Sequence, residues 1–178
     1  MVAGLLEMQR RTSGEAATIQ ALESVILRVH SLARAHEVLY APSGDISVID
    51  FARYLQDLCR SLSESLLLTT IVQLRCASEP ATMPTDRAAT LGLVINELVT
   101  NAAKHAFPDG RSGVIDVSFA RSEAGWRLTV ADDGVGLPRK AAATGMGRRL
   151  VDGFVRQAGG TVTVGPGPGV SFIIDLPA

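Results

Sequence analysis

The stretch LGLVINELVTNAAKHAF, residues Leu91 to Phe107, decides how the rest of the chain reads. It has the periodicity of an apolar helix with one polar edge. At about 100° per residue, Glu97, Asn101 and Lys104 share about 60° of arc. Leu91, Val94, Ile95, Leu98, Val99 and Ala102 fill the neighbouring arc. A solvated stripe on an amphipathic helix would give the same pattern. A core helix, however, does not need a carboxylate, an amide and an ammonium stacked beside its buried face. Carboxylate and amide oxygens suit Mg²⁺, and a lysine suits phosphate. The stretch is therefore read as one wall of a site, conditional on what surrounds it.

Working outward, the 178 residues suggest one domain with a small appendage. A hydrophobic fraction of 47% with only 4% aromatics points to a core of Leu, Val, Ile and Ala. The net charge of −1 provides no basic field for nucleic acid. No apolar run approaches the ~20 residues of a membrane span. In MVAGLLEMQRR the basic pair follows the apolar segment, the reverse of a signal peptide. Cys59 and Cys76 sit in no metal or redox spacing and read as reduced thiols of a cytoplasmic protein.

Upstream of the stretch, residues 2–11 read as the end of a helix. Thr12-Ser13-Gly14 breaks it, and one long helix follows over residues 15–40. Ile19, Leu22, Ile26, Val29, Ala33, His36 and Tyr40 recur at spacings of three and four, an a/d seam. Val25, Leu32 and Leu39 widen that seam beyond what one hairpin can bury, so a second copy and a four-helix bundle are expected. Pro42, Gly44 and Asp45 mark a turn, and the domain boundary is placed there, between residues 1–45 and 46–178. Ser47 and Asp50 form an S-x-x-D capping signature for a helix over about residues 48–65. Residues 70–76 read as a strand, Pro80 and Pro84 bracket a loop, and Thr85 caps the opening helix.

Downstream, Pro108-Asp109-Gly110 is a turn, and residues 114–120 and 126–131 form a hairpin. A helix opening at Gly145-Met146-Gly147 carries Leu150, Val151, Phe154, Val155 and Ala158 inward and stops at Gly159-Gly160. Residues 161–164 and 170–176 form a final hairpin around GPGPG. The order helix, strand, helix, strand, strand, helix, strand, strand predicts an α+β layer, helices on one face of a mixed sheet.

Two further motifs carry chemistry. DDGVGLP, residues 132–138, follows a buried strand. A carboxylate at a strand end with two glycines can take hydrogen bonds from a flat ligand lying close to the backbone, although Asp-Gly is also a common turn dipeptide. Gly145-Met146-Gly147-Arg148 opens a helix, where exposed N–H groups and the positive dipole end suit phosphate.

In this order the three motifs resemble the N, G1 and G2 boxes of the ATP-binding domain shared by gyrase, heat-shock chaperones and histidine kinases, the Bergerat fold. NELVTNAAKHAFP, DDGVGLP and GMGRRLV are most similar to sensor histidine kinases of a subgroup close to the HWE kinases. RVHSLARAHEVLY resembles the end of that subgroup's dimerisation hairpin. The resemblance implies a two-layer ATP-binding domain preceded by a bundle-forming hairpin. It implies that Asn101 holds Mg²⁺ between the phosphates and that Glu97 acts as base or orients the nucleophile. Lys104, with His105 beside it, would contact phosphate, and Arg148 would add charge there. Asp132 would read the adenine amino group, Gly134 and Gly136 would permit close approach, and Gly145 and Gly147 would let a lid over residues 139–144 close. ATP and Mg²⁺ are the implied cofactors. A homodimer and a response-regulator receiver domain are the implied partners.

The subgroup's acceptor histidine begins an H-R-x-K-N-like motif in the first bundle helix. Aligning VAGLLEMQ with that helix places the motif before Met1. His36 reads as a packed seam residue, His30 as a more available one, and His105 belongs to the nucleotide box. The leading expectation is a histidine kinase core. The alternatives are a nucleotide-regulated dimerisation module without transferase activity and an anti-sigma-type serine kinase.

Overall fold

The computed structural model describes residues 48–67, 71–136 and 146–178. The expected helices within residues 1–40, the hairpin over 1–45, the turn at 41–47 and the stretch 139–144 lie outside the described residues, as does Gly145.

Seven strands and three α-helices follow in chain order among the described residues. They are β1 (Val48–Asp50), α1 (Phe51–Leu66), β2 (Val72–Ser78), β3 (Thr82–Pro84), α2 (Thr85–His105), β4 (Gly113–Ser122), β5 (Gly125–Asp132), α3 (Met146–Gln157), β6 (Thr161–Gly165) and β7 (Ser171–Pro177), with a 3₁₀ turn at Pro108–Gly110. The main sheet has the order β2-β4-β5-β7-β6. β2 runs parallel to β4, and every other pairing is antiparallel, so the sheet is mixed as expected. A parallel pair needs a long crossover, and the segment that contains α2 supplies it.

Strand alternation sorts the sheet into two faces. Ile115, Val117 and Phe119 of β4, Leu128 and Val130 of β5, and Ile174 and Leu176 of β7 are buried. Arg127, Thr129 and Asp175 alternate with them on the other face. The helices cover the apolar face: α2 packs on β4 and β5, α1 on β2, and α3 on β6 and α2. The predicted apolar arc of α2 is the buried one, with Leu91, Val94, Ile95 and Val99 fully enclosed. Each such side chain contributes about 1.5–3 kcal/mol relative to exposure. The architecture is the predicted two-layer α+β arrangement.

Three local expectations need correction. Helix α1 does not begin near residue 48: Val48–Asp50 is a strand, paired with Thr82–Pro84. Asp50 is the residue that caps α1, its side chain accepting from Arg53 N at 3.1 Å. Ser47, which opened the expected capping signature, lies outside the described residues, and the pairing of 48–50 with residues some thirty positions away moves the cap to Asp50. For the same reason Pro80 and Pro84 do not simply bracket a loop, since Thr82–Pro84 belongs to that small sheet. Thr85 is the first residue of α2 rather than its cap; Pro84 holds the cap position with no side-chain bond.

Candidate functional site

α2 organises the site because both other motifs touch it. Its polar edge emerges as predicted: Glu97 and Asn101 are half-buried beside the enclosed apolar arc, and Lys104 and His105 are exposed in the last turn. The start of α3 lies against that edge. A Cβ on Gly147 would stand 2.8 Å from Glu97 Oε1 and 3.4 Å from Asn101 Nδ2. Glycine therefore lets the N-terminal turn of α3 approach a carboxylate and an amide at near-contact distance. The first turn of a helix carries N–H groups without intrahelical partners and the positive end of the helix dipole, and here that turn lies beside Glu97 and Asn101.

The Asp132 corner meets α2 at its C-terminal cap, Ala106. Val135 N donates to Ala106 O at 3.0 Å, and Gly134 is buried against Ala106, where a Cβ would collide with its carbonyl. Gly136 has φ +77°, a left-handed conformation that disfavours any side chain. The glycines thus seat the strand-end carboxylate next to the turn carrying Lys104 and His105.

The two adjacent aspartates divide the work. Asp133 is structural: its Oδ1 accepts from Val114 N at 2.8 Å, its N donates to Val114 O at 3.2 Å, and its carbonyl accepts from Arg111 at 3.1 Å. Asp132 is held differently. Its Oδ1 accepts from Gly134 N at 3.0 Å and from Val170 N at 3.2 Å, while its own N donates to Val170 O at 2.8 Å. Both side-chain bonds go to one oxygen, which orients the carboxylate and leaves Oδ2 without a bond among the described residues.

Gly169 completes the corner, because a Cβ there would collide with Asp132 O and Oδ1. Sequence reading missed this role and took GPGPG only as a hairpin turn. The density of glycines was the available signal. Arg148 stands where its phosphate role is not prepared: its Nε bonds Asp152 Oδ1 at 3.0 Å and its guanidinium lies 5.3 Å from the Phe172 ring centre. Among the described residues no three His, Cys, Asp or Glu side chains converge as a metal cage, and no helix is long and apolar enough to cross a membrane.

A helix edge of carboxylate and amide, an oriented carboxylate at a strand end and a glycine-opened helix together define an ATPase-type nucleotide domain. The chain belongs to the histidine kinase-, DNA gyrase B-, and HSP90-like ATPase family, whose model matches residues 86–178. A second model, described as histidine kinase, matches residues 1–66. Among curated relatives, the sensor histidine kinase PdtaS of Mycobacterium tuberculosis is 30% identical over 139 residues, 78% of this chain and 27% of the relative. Blue-light-activated histidine kinase 2 of Erythrobacter litoralis is 32% identical over 111 residues, 60% of this chain and 32% of the relative. The chain thus spans about a quarter to a third of the length of these curated relatives. A solved histidine kinase domain from the blue-light-activated kinase of Erythrobacter litoralis EL346 shares the fold, with a TM-score of 0.73 and 22% identity, over 99% of this chain and 84% of that one.

Proposed function

We propose that residues 46–178 bind Mg-ATP and act as the catalytic domain of a cytoplasmic two-component sensor histidine kinase, with residues 1–45 as its dimerisation hairpin. The observation that carries this reading is the seating of Gly147 against Glu97 and Asn101 on the same helix whose C-terminal cap holds the Asp132 corner. We read these two contacts as the phosphate and base ends of one nucleotide site along the C-terminal half of α2.

The chain's own groups fit the ligand. Asp132 Oδ2 would accept from the adenine amino group, with Gly134 and Gly136 keeping the backbone clear. Asn101 offers an amide oxygen to a cation, and Lys104 and His105 lie within one turn of it to meet phosphate. Bound Mg²⁺ would neutralise charge between the phosphates. Glu97 would orient the attacking imidazole or accept its proton, and the N–H groups opening α3, with Gly145 and Gly147, would close over the phosphates. Arg148 could join them only by leaving Asp152. Phosphoryl transfer is mainly positioning and charge stabilisation, so this set is chemically sufficient. The phosphoryl group would pass to a histidine of the homodimer's bundle and on to a response-regulator aspartate.

Radiolabelled ATP tests the transfer. The chain is joined at Met1 to a segment carrying an H-R-x-K-N acceptor and is expected to gain acid-labile phosphate. A protein that binds ATP but never acquires the label under these conditions would be a nucleotide-regulated dimerisation module, and the kinase reading would fall.

A further inference from the structure

Cys59 and Cys76 stand in no redox spacing, but the fold brings them together. Cys59 is one of the inward residues of α1, with Phe51, Tyr54, Leu55 and Leu62, and is 4% exposed. In β2 the alternation puts Val72, Leu74, Cys76 and Ser78 on the more enclosed face, and α1 packs on β2. The two side chains meet there and interact. Both thiols are free.

β2 is an edge strand, bonded to β4 on one side, and Cys76 is half-buried rather than enclosed. A small oxidant can reach Cys76, whereas Cys59 is shielded. No third His, Cys, Asp or Glu joins them among the described residues, so a metal site does not account for the pair.

We infer that Cys59 and Cys76 form an oxidisable dithiol, with Cys76 the attacking thiol and Cys59 the resolving one, whose product is a disulfide stapling α1 to the edge of the sheet. Exposure sets the asymmetry of the pair, since Cys59 is enclosed and Cys76 is only half-buried. In the same direction, contact with Cys76 and burial push the Cys59 thiol up, while contact with Cys59 lowers Cys76, favouring its thiolate. With hydrogen peroxide as oxidant, the Cys76 thiolate attacks one peroxide oxygen. The O–O bond breaks, hydroxide leaves, and Cys76 becomes a sulfenic acid. The Cys59 sulfur then attacks the Cys76 sulfur. The S–S bond forms, the S–O bond breaks, and the departing hydroxide takes the Cys59 proton as water. Two thiols are oxidised and one peroxide is reduced to two waters.

The test uses the purified full chain, reduced and then treated with hydrogen peroxide. Cleavage after arginine gives separate peptides, Tyr54–Arg60 and Cys76–Arg87. Without reductant the two are expected to appear as one linked species, with the intact mass lower by two hydrogens and restored by dithiothreitol. Cys59→Ser is expected to stop at a Cys76 sulfenic acid that dimedone traps, and Cys76→Ser to stay unoxidised at Cys59. Linking is expected to slow at least tenfold in urea, where the contact is lost. Linkage between chains only, a Cys76 sulfinic acid without linkage in the wild type, or equal rates folded and unfolded would each overturn the inference.

Discussion

Replacing Asp132 with asparagine separates binding from folding at this site. Asp132 Oδ1 accepts from Gly134 N at 3.0 Å and Val170 N at 3.2 Å. An asparagine can keep both bonds through its amide oxygen, which places its NH₂ where Oδ2 stood. The ligand-facing atom changes from a charged acceptor to a donor, so a donated adenine hydrogen bond is lost and two donors face each other. A hydrogen bond to a charged group contributes about 1.5–3 kcal/mol. The affinity of Asp132→Asn for ATP should therefore fall by roughly one to two orders of magnitude. The melting temperature without nucleotide should change little. Asp132→Ala behaves differently, because it also strands the two backbone N–H groups. For these part-buried groups that costs about 1–3 kcal/mol in total, or about 2–12 °C of melting temperature. Titration calorimetry with Mg-ATP, paired with thermal melts of the apo proteins, reads both effects. Unchanged affinity in Asp132→Asn, or an apo destabilisation equal to that of Asp132→Ala, would refute the division of the carboxylate into a scaffold oxygen and a ligand oxygen.

Other perturbations test separate parts of the account. Gly169→Ala should push the β6–β7 loop away from Asp132, lowering ATP affinity about tenfold, or ~1.4 kcal/mol, with the fold retained by circular dichroism. Tyr54 Oη is buried without a hydrogen-bond partner among the described residues, so Tyr54→Phe should be neutral or stabilising by up to ~1 kcal/mol in urea denaturation. Burial also pushes the Tyr54 pKa up to about 12 from 10.0. The folded state holds this proton more tightly, so stability is intact below pH 10 and falls by ~1.4 kcal/mol per unit above it, a loss that Tyr54→Phe should lessen. Gly92→Ala should cost about 1–3 kcal/mol, since a Cβ there meets the same hydroxyl, and a melt of the double variant with Tyr54→Phe should recover part of it. The Arg127–Asp175 pair, 2.7 Å long but 50% and 34% exposed, should contribute little to stability, and its removal should matter less still in high salt, as urea denaturation at two salt concentrations would read.

Much of this arrangement was legible in the chain because it is local. The buried arc of α2, the hairpins β4–β5 and β6–β7, and the end of α3 at Gly159 follow from periodicity and glycine placement within a few residues. The polar edge of α2 was legible for the same reason. What escaped depends on residues far apart in sequence. The pairing of Val48–Asp50 with Thr82–Pro84 leaves no periodic trace in three-residue strands. The resemblance singled out Asp132 over Asp133, but not what holds each: β4 uses Asp133 and the β6–β7 loop uses Asp132. Arg148 read as a phosphate ligand because it follows the glycines, yet an i,i+4 partner, Asp152, turns it along its own helix. The meeting of Cys59 with Cys76 follows from how α1 packs on β2, a relation that their spacing does not encode.

The central claim is a single nucleotide track running along α2. A crystal structure of the chain with Mg²⁺ and a non-hydrolysable ATP analogue tests it most directly. The account predicts the adenine amino group on Asp132 Oδ2, the metal on Asn101 and the phosphates between Lys104 and the start of α3 at Gly147. A nucleotide bound away from Asp132, or phosphates pointing away from Asn101 and Gly147, would contradict it.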